Sequence, residues 1–105
     1  MGVFAKQGGG GDAAAKPPGG QVAVGSITIR FFSRAQDVVG LPSVRWEIAD
    51  GETIASILDR LDAAFPELAP LRASLLVAVN YEYAAPDRAL AHGDEVALIP
   101  PVQGG

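Results

Sequence analysis

Cysteine is absent from the 105 residues. Without a thiol there is no disulfide, no thiolate nucleophile and no cysteine-ligated metal, and the chain is compatible with a reducing compartment. Histidine occurs once. His92 sits in a predicted turn beside Gly93, with no partner that spacing would bring to it as a triad or a metal site, so no catalytic role and no bound metal are expected. Long apolar runs are lacking too. None approaches the ~20 residues of a membrane helix, and no charged start followed by an apolar block marks a secretory signal. Residues 1 to 25 contain no Arg and no Ser, unlike a transit peptide. Lys6 stands at the sixth residue, where myristoylation asks for Ser or Thr. Positive charge is in deficit: eight Lys and Arg against twelve Asp and Glu leave a net charge of −4. That balance argues against nucleic acid or an anionic membrane as the main partner. These absences describe a soluble cytosolic (cytoplasmic) protein.

Against these absences, 49% of the residues are apolar, enough for one small core in a single domain. Residues 1 to 25 are dominated by Gly, Ala and Pro and read as a flexible extension that cannot bury enough surface to offset its ordering entropy. A docking arm through Val22-Ala23-Val24 is the alternative. Residues 26 to 105 read as the folded domain. Ile27, Ile29 and Phe31 alternate with Thr28, Arg30 and Phe32, the period of a strand with one face buried. Residues 33 to 43, with Gly40 and Pro42, read as a loop. Val44, Trp46 and Ile48 alternate again, which suggests an antiparallel hairpin.

Thr53 is placed to cap a helix, with Glu52 adding negative charge at its N-terminus. Ile54, Ile57, Leu58, Leu61 and Phe65 fall on one helical face, and Pro66 ends the helix near Phe65. That stripe reads as core. Residues 66 to 70 connect, with Leu68 and Leu71 as anchors, to an apolar strand over 75 to 79. Residues 80 to 83 make a turn and a short return, 84 to 91 are mostly loop, and a last strand spans 95 to 99. The order implies an α+β fold, a mixed sheet with one main helix packed on one face, and the first and last strands lie side by side and parallel if the sheet closes this way.

Side chains for chemistry are scarce. Asp94 and Glu95 are adjacent in a strand and point to opposite faces, so they read as a solvated turn rather than an acid–base pair. No glycine-rich stretch has the strand, helix and Lys-Ser/Thr context of a phosphate loop. What remains is the ending Leu98-Ile99-Pro100-Pro101-Val102-Gln103-Gly104-Gly105. Prolines end the ladder and stiffen the base, and glycines lack the Cβ that would bar a narrow channel. The reactive group at the tip is the Gly105 carboxylate. A frayed end is the plainer reading of such a tail. A carboxylate is a poor electrophile, but activation to an acyl-adenylate and attack by a sulfur donor would turn Gly105 into a thiocarboxylate.

Three stretches carry a family resemblance: Ile27-Thr28-Ile29-Arg30-Phe31-Phe32-Ser33-Arg34-Ala35, Val79-Asn80-Tyr81-Glu82-Tyr83, and residues 92 to 105 with Gly93-Asp94-Glu95-Val96 and Pro100-Pro101-Val102-Gln103-Gly104-Gly105. They resemble the small, sulfur-carrier subunit of molybdopterin synthase, the MoaD-like family, over residues 26 to 105. The resemblance implies a ubiquitin-like β-grasp fold. It implies that an E1-like adenylyltransferase/sulfurtransferase uses ATP to adenylate Gly105 and convert it to a thiocarboxylate (1-thioglycine), with Gly104 giving the tail access. The tail then gives sulfur to cyclic pyranopterin monophosphate in the large subunit, two donations building the molybdopterin dithiolene. No cofactor is held permanently. The catalytic side chains are expected on the large subunit, this chain being a non-catalytic sulfur donor, in a heterotetramer of two small and two large subunits. Gln103 departs from the small residue expected before the glycines. The candidate partner surface is Phe32, Leu98, Pro100, Pro101 and Val102. The alternatives are a thiamin-pathway sulfur carrier, against which the diproline speaks, a ubiquitin-like modifier conjugated through Gly105, and a β-grasp module with an inert tail.

Overall fold

The computed structural model describes residues 14–101. Five strands form one mixed sheet: β1 (Ala23–Phe31), β2 (Ser43–Ala49), β3 (Leu76–Val79), β4 (Glu82–Tyr83) and β5 (Glu95–Ile99), in the order β2-β1-β5-β3-β4. β1 and β5 are parallel, and the other neighbours are antiparallel. A parallel pair needs a long crossover rather than a tight turn. The chain between them supplies it, and this is the β-grasp arrangement that the resemblance implied.

Among the described residues three α-helices accompany the sheet: α1 (Ser33–Val39), α2 (Ile54–Ala64) and α3 (Ala69–Arg72). α2 is the main one and obeys its sequence signals. The Thr53 hydroxyl accepts from the Ser56 N–H at 3.2 Å and the Ser56 hydroxyl accepts from the Thr53 N–H at 2.9 Å, a reciprocal cap that satisfies two orphan donors. Ile54, Ile57, Leu58 and Leu61 are buried. Phe65 ends the helix, stacks on Trp46 with centroids 6.5 Å apart and meets Phe31 edge-on at 6.1 Å. Against this stripe lie Ile27, Ile29 and Phe31 of β1, Trp46 and Ile48 of β2, Val79 of β3, and Val96 and Leu98 of β5. Leu68 is buried in this core and Leu71 packs on it, as anchors should.

Several expectations change. Residues 33 to 39 are a helix rather than loop: Gly40 is its left-handed C-cap at φ 85, with its N–H on the Gln36 carbonyl at 2.7 Å, and Ala35 is its buried anchor. The residue that looked like a loop marker is a helix stop. β1 begins at Ala23, three residues earlier than the alternation suggested, with an irregularity in its register between Ala23 and Gly25. A Cβ on Gly25 would lie 2.5 Å from the His92 Cβ, so glycine there permits a close approach of the two segments. Ala23 and Val24 of the Val22-Ala23-Val24 segment thus enter the sheet, with Val22 and Val24 exposed. Residues 14 to 16, read from sequence as part of the extension, are tied to the domain. The Ala14 and Lys16 carbonyls accept from Arg60, and the Ala15 carbonyl accepts from the Glu47 N–H. Residues 1–13 lie outside the described residues.

The irregular loop over 84 to 91 is tied down by backbone bonds. The Ile54 N–H donates to the Arg88 carbonyl, the Ala55 N–H to Pro86, and the Leu90 N–H to Glu52. The first turn of α2, whose N–H groups have no partner inside the helix, is thereby satisfied from across the domain.

Candidate functional site

β5 carries the chain toward the tail. Val96 and Leu98 point into the core, Glu95, Ala97 and Ile99 line the opposite face of the sheet, and the strand runs into Pro100 and Pro101. Leu98 is fully buried and Pro100 is buried, while Pro101 is exposed. Leu98 therefore belongs to the core and not to a free partner surface, because alternate residues of a strand take opposite faces. Val102, Gly104 and Gly105 lie outside the described residues, as does Gln103.

Beside the base of the tail, the sheet face away from α2 holds a groove of about 290 Å³ lined by Arg30, Phe32, Ala78, Tyr81, Tyr83, Glu95, Ala97 and Ile99. Its floor is small and apolar, and its rim is aromatic. Phe32 is 37% exposed, Tyr83 73% and Tyr81 85%. Phe32 thus sits where the sequence put it, on the face opposite Phe31. Tyr81, Tyr83 and Ile99 were not anticipated as part of this surface. Their positions two residues apart on the short return and on the β5 face supply the period-2 signal that would have found them.

The charges of the groove are internally matched. Arg30 pairs with Glu95 at 2.8 Å, and its guanidinium stands 5.5 Å from the Phe32 ring centre. The hydrogen bond to Arg30 holds the Glu95 carboxyl below its ordinary range, and the same bond holds Arg30 above its own. The site is therefore an apolar surface with a neutralised ion pair rather than a charged pocket.

Tyr81 is aimed by backbone strain. Asn80 and Tyr81 form the two-residue connection of the β3–β4 hairpin at φ 52 and φ 73, the positive values that a type I′ turn requires. A tyrosine there costs about 1–2 kcal/mol relative to glycine. The turn is held from outside: the Asn80 N–H donates to the Glu95 carbonyl, the Glu95 N–H to the Asn80 side-chain oxygen, and the Asn80 amide to Asp94 at 2.9 Å.

Asp94 is the centre of that support. Expected in a solvated turn, it is buried, and its two oxygens accept from Asn80, Arg88 and the Ala91 N–H. Burial alone would raise its pKa, but the Ala91 N–H, the Asn80 amide and Arg88 outweigh it and hold the carboxyl below its ordinary value. A depressed folded value means stability that is present above the unfolded pKa of about 3.9 and lost as pH falls through the folded value. Thermal melts from neutral to acid pH should show this loss. Asp94→Asn should melt lower at neutral pH, by about 1–3 kcal/mol of stability, and respond less steeply to acid.

His92 has a structural place: its Nδ1 accepts from the Ser26 N–H at 3.0 Å. Among the described residues no group of three or more His, Asp or Glu side chains is arranged to hold a metal ion. No helix among them is long and apolar enough to cross a membrane.

Comparison with known proteins agrees with this architecture. The model of the ThiS family matches residues 29–105, so the terminal glycine pair falls inside the match. The molybdopterin synthase sulfur carrier subunit of Arabidopsis thaliana is 35% identical over 79 residues, 75% of this chain and 82% of that protein. The same subunit from Chlamydomonas reinhardtii is 36% identical over 81 residues, 75% of this chain and 98% of that one. The crystal structure of SAMP1 from Haloferax volcanii superimposes with a TM-score of 0.70 at 35% identity, covering 77% of this chain and all of that one. The chain belongs to the ThiS family, with molybdopterin synthase sulfur carrier subunits among its relatives.

Proposed function

We propose that this protein is the sulfur-carrier subunit of a molybdopterin synthase. The observation that carries the reading is the family match reaching residue 105, with sulfur carrier subunits more than 30% identical over most of their length. The described geometry supports it. A central strand delivers the chain to a diproline beside an apolar, charge-neutral groove, so a partner that docks on the groove receives the tail at a defined place.

The carrier cycle uses the Gly105 carboxylate. An activating enzyme joins it to AMP from ATP, releasing pyrophosphate. The terminal sulfur of a persulfide-class donor then displaces AMP to give an acyl disulfide, and a thiol of the donor enzyme, acting as two-electron reductant, cleaves the S–S bond, forms a disulfide with the donor sulfur and leaves the thiocarboxylate. Within the large subunit, the thiocarboxylate sulfur attacks a carbon of cyclic pyranopterin monophosphate and displaces an oxygen leaving group, and hydrolysis of the resulting thioester leaves the sulfur on the substrate and returns the Gly105 carboxylate. Two such donations complete the dithiolene. The protein's own residues bind and orient: Phe32, Tyr81, Tyr83 and Ile99 supply docking area, and Pro100-Pro101 restrict the directions the tail can take. Val102 and Gly104 thread the channel.

The 36% identity to small archaeal modifier protein 1 of Haloferax volcanii favours a second use of the same activated terminus, amide formation with a lysine of another protein. Intact mass and C-terminal fragmentation of the protein isolated from its own cells test both. Sulfur in place of one oxygen on Gly105 is expected, and deletion of Gly104-Gly105 should abolish molybdopterin formation in a reconstituted synthase while leaving the melt unchanged. A carboxylate that stays unmodified with ATP, a sulfur source and cell extract would remove the carrier reading. A ladder of higher-mass conjugates would establish the modifier.

A further inference from the structure

The outer edge of the sheet opposite β4 is β2, and its main-chain groups are directed by the ladder. Ser26 pairs with Glu47 and Thr28 with Arg45. The Ser26 and Thr28 N–H groups go to His92 and to the Asp94 carbonyl, away from β2. In an antiparallel ladder both members of such pairs turn their N–H and C=O outward. Arg45 and Glu47 therefore present backbone donors and acceptors on the open side of β2, and a bare edge of this kind is a template for pairing with another chain.

A strap, residues 14–16, lies on that side. The Ala15 carbonyl accepts from the Glu47 N–H at 2.7 Å. The Arg60 guanidinium donates to Ala14 at 3.0 Å, Lys16 at 2.9 Å, the Glu47 carbonyl at 2.9 Å and Glu52 at 2.7 Å, and stands 5.0 Å from the Trp46 ring centre. One side chain thus latches the strap to the edge. Behind it, Pro18–Gly20 forms a single 3-10 turn in which Gly19 and Gly20 take φ 66 and φ 75.

We propose that β2 is a homotypic docking edge which the strap keeps closed, and that lifting the strap lets β2 of two copies pair antiparallel about Trp46. Charge selects the partner and the register. Centred on Trp46, the pairing sets each exposed Arg45 opposite Glu47 of the second copy, an opposite-charge pair formed twice. Centring on Arg45 or on Glu47 would set like charges opposite each other. The edge is complementary to itself in one register, as a two-fold interface requires.

The test uses the full chain. Ala14→Asp with Ala15→Asp puts two carboxylates against the apolar surface under the strap and beside Glu47 and Glu52. Arg60→Lys, as an independent variant, keeps the charge beside Glu52 but cannot fork to both strap carbonyls. Light scattering should give the monomer mass for the native protein, and a mass twice as large, falling on dilution, for each variant whose residue 14–22 amide signals move to random-coil positions. Adding Arg45→Glu to the strap-lifted variant should restore the monomer, and Arg45→Glu with Glu47→Arg should recover the dimer. A monomer with a released strap overturns the proposal, and so does a dimer indifferent to the charge reversal. A strap that stays docked in both variants overturns it as well, since these contacts are then not the latch. A mass that rises only on addition of cell extract assigns the edge to a different protein and overturns the homotypic pairing.

Discussion

Replacing Glu52 with alanine is expected to cost about 3–5 kcal/mol, the scale for removing one partner of a buried ion pair. The Glu52 and Arg60 side chains are only 7% and 9% exposed, and the pair closes at 2.7 Å. Glu52 also accepts from the Ala49 N–H and from the Ser56 hydroxyl, so the loss strands a cation, a backbone donor at the end of β2 and the hydroxyl that completes the α2 cap. A small domain has a total stability of about 5–15 kcal/mol, so a loss of this size is a large part of the whole. Denaturant melts of the full chain measure it directly. Glu52→Gln removes the charge and keeps an acceptor at only one of the two oxygen positions that serve Ala49 and Ser56, so it should fall between the native protein and the alanine variant. A loss below about 1 kcal/mol for Glu52→Ala would show that Arg60 finds other partners and that the pair matters little to the fold.

The second large effect separates core from docking surface on two residues proposed together from sequence. Leu98→Ala should destabilise by about 2–5 kcal/mol, since the side chain is fully buried between the sheet and α2 and its loss leaves a cavity. Phe32→Ala should cost about 1 kcal/mol or less, because the ring is partly exposed and its contact with Arg30 is a weak cation–π one. Association with the large subunit proposed above as its partner should reverse the order. Phe32→Ala is expected to weaken binding about tenfold or more as a partly exposed aromatic at the groove, whereas folded Leu98→Ala should bind nearly as the native chain does. Calorimetric titration of both variants at a temperature where both are folded decides it. Equal binding losses would mean that the groove is not the docking face.

Much of the local structure was legible from residue pattern alone. α2 announced itself through its apolar stripe, its Thr53 cap and Pro66, because each is a short-range steric or hydrogen-bonding rule. The last strand was legible with its bounds, Glu95–Ile99. α1 was not: it is a helix of seven residues with one buried side chain, too short for periodicity to show, and its Gly40 cap resembles any loop glycine. Asp94 looked solvated because nothing in the local sequence reveals that Asn80 and Arg88 will close over it from other segments.

The tail and its chemistry lie at the opposite extreme. Pro100-Pro101 and Gly104-Gly105 stand out through the absence of an N–H or a Cβ, properties carried by the residues themselves and readable without any contact between segments. The residue pattern likewise determined the period of each strand, and hence that Phe31 and Phe32 would part to opposite faces. Which of those faces is covered depends on how α2 packs across the sheet. α2 packs on one side and leaves Phe32, Tyr81, Tyr83 and Ile99 as a surface, while Leu98, equally apolar, is buried. Arg60, an ordinary polar-face residue in the helical pattern, becomes a buried latch for the same reason. Burial depends on contacts between segments far apart in the chain, and a local pattern records a residue's face but not what will come to lie against it.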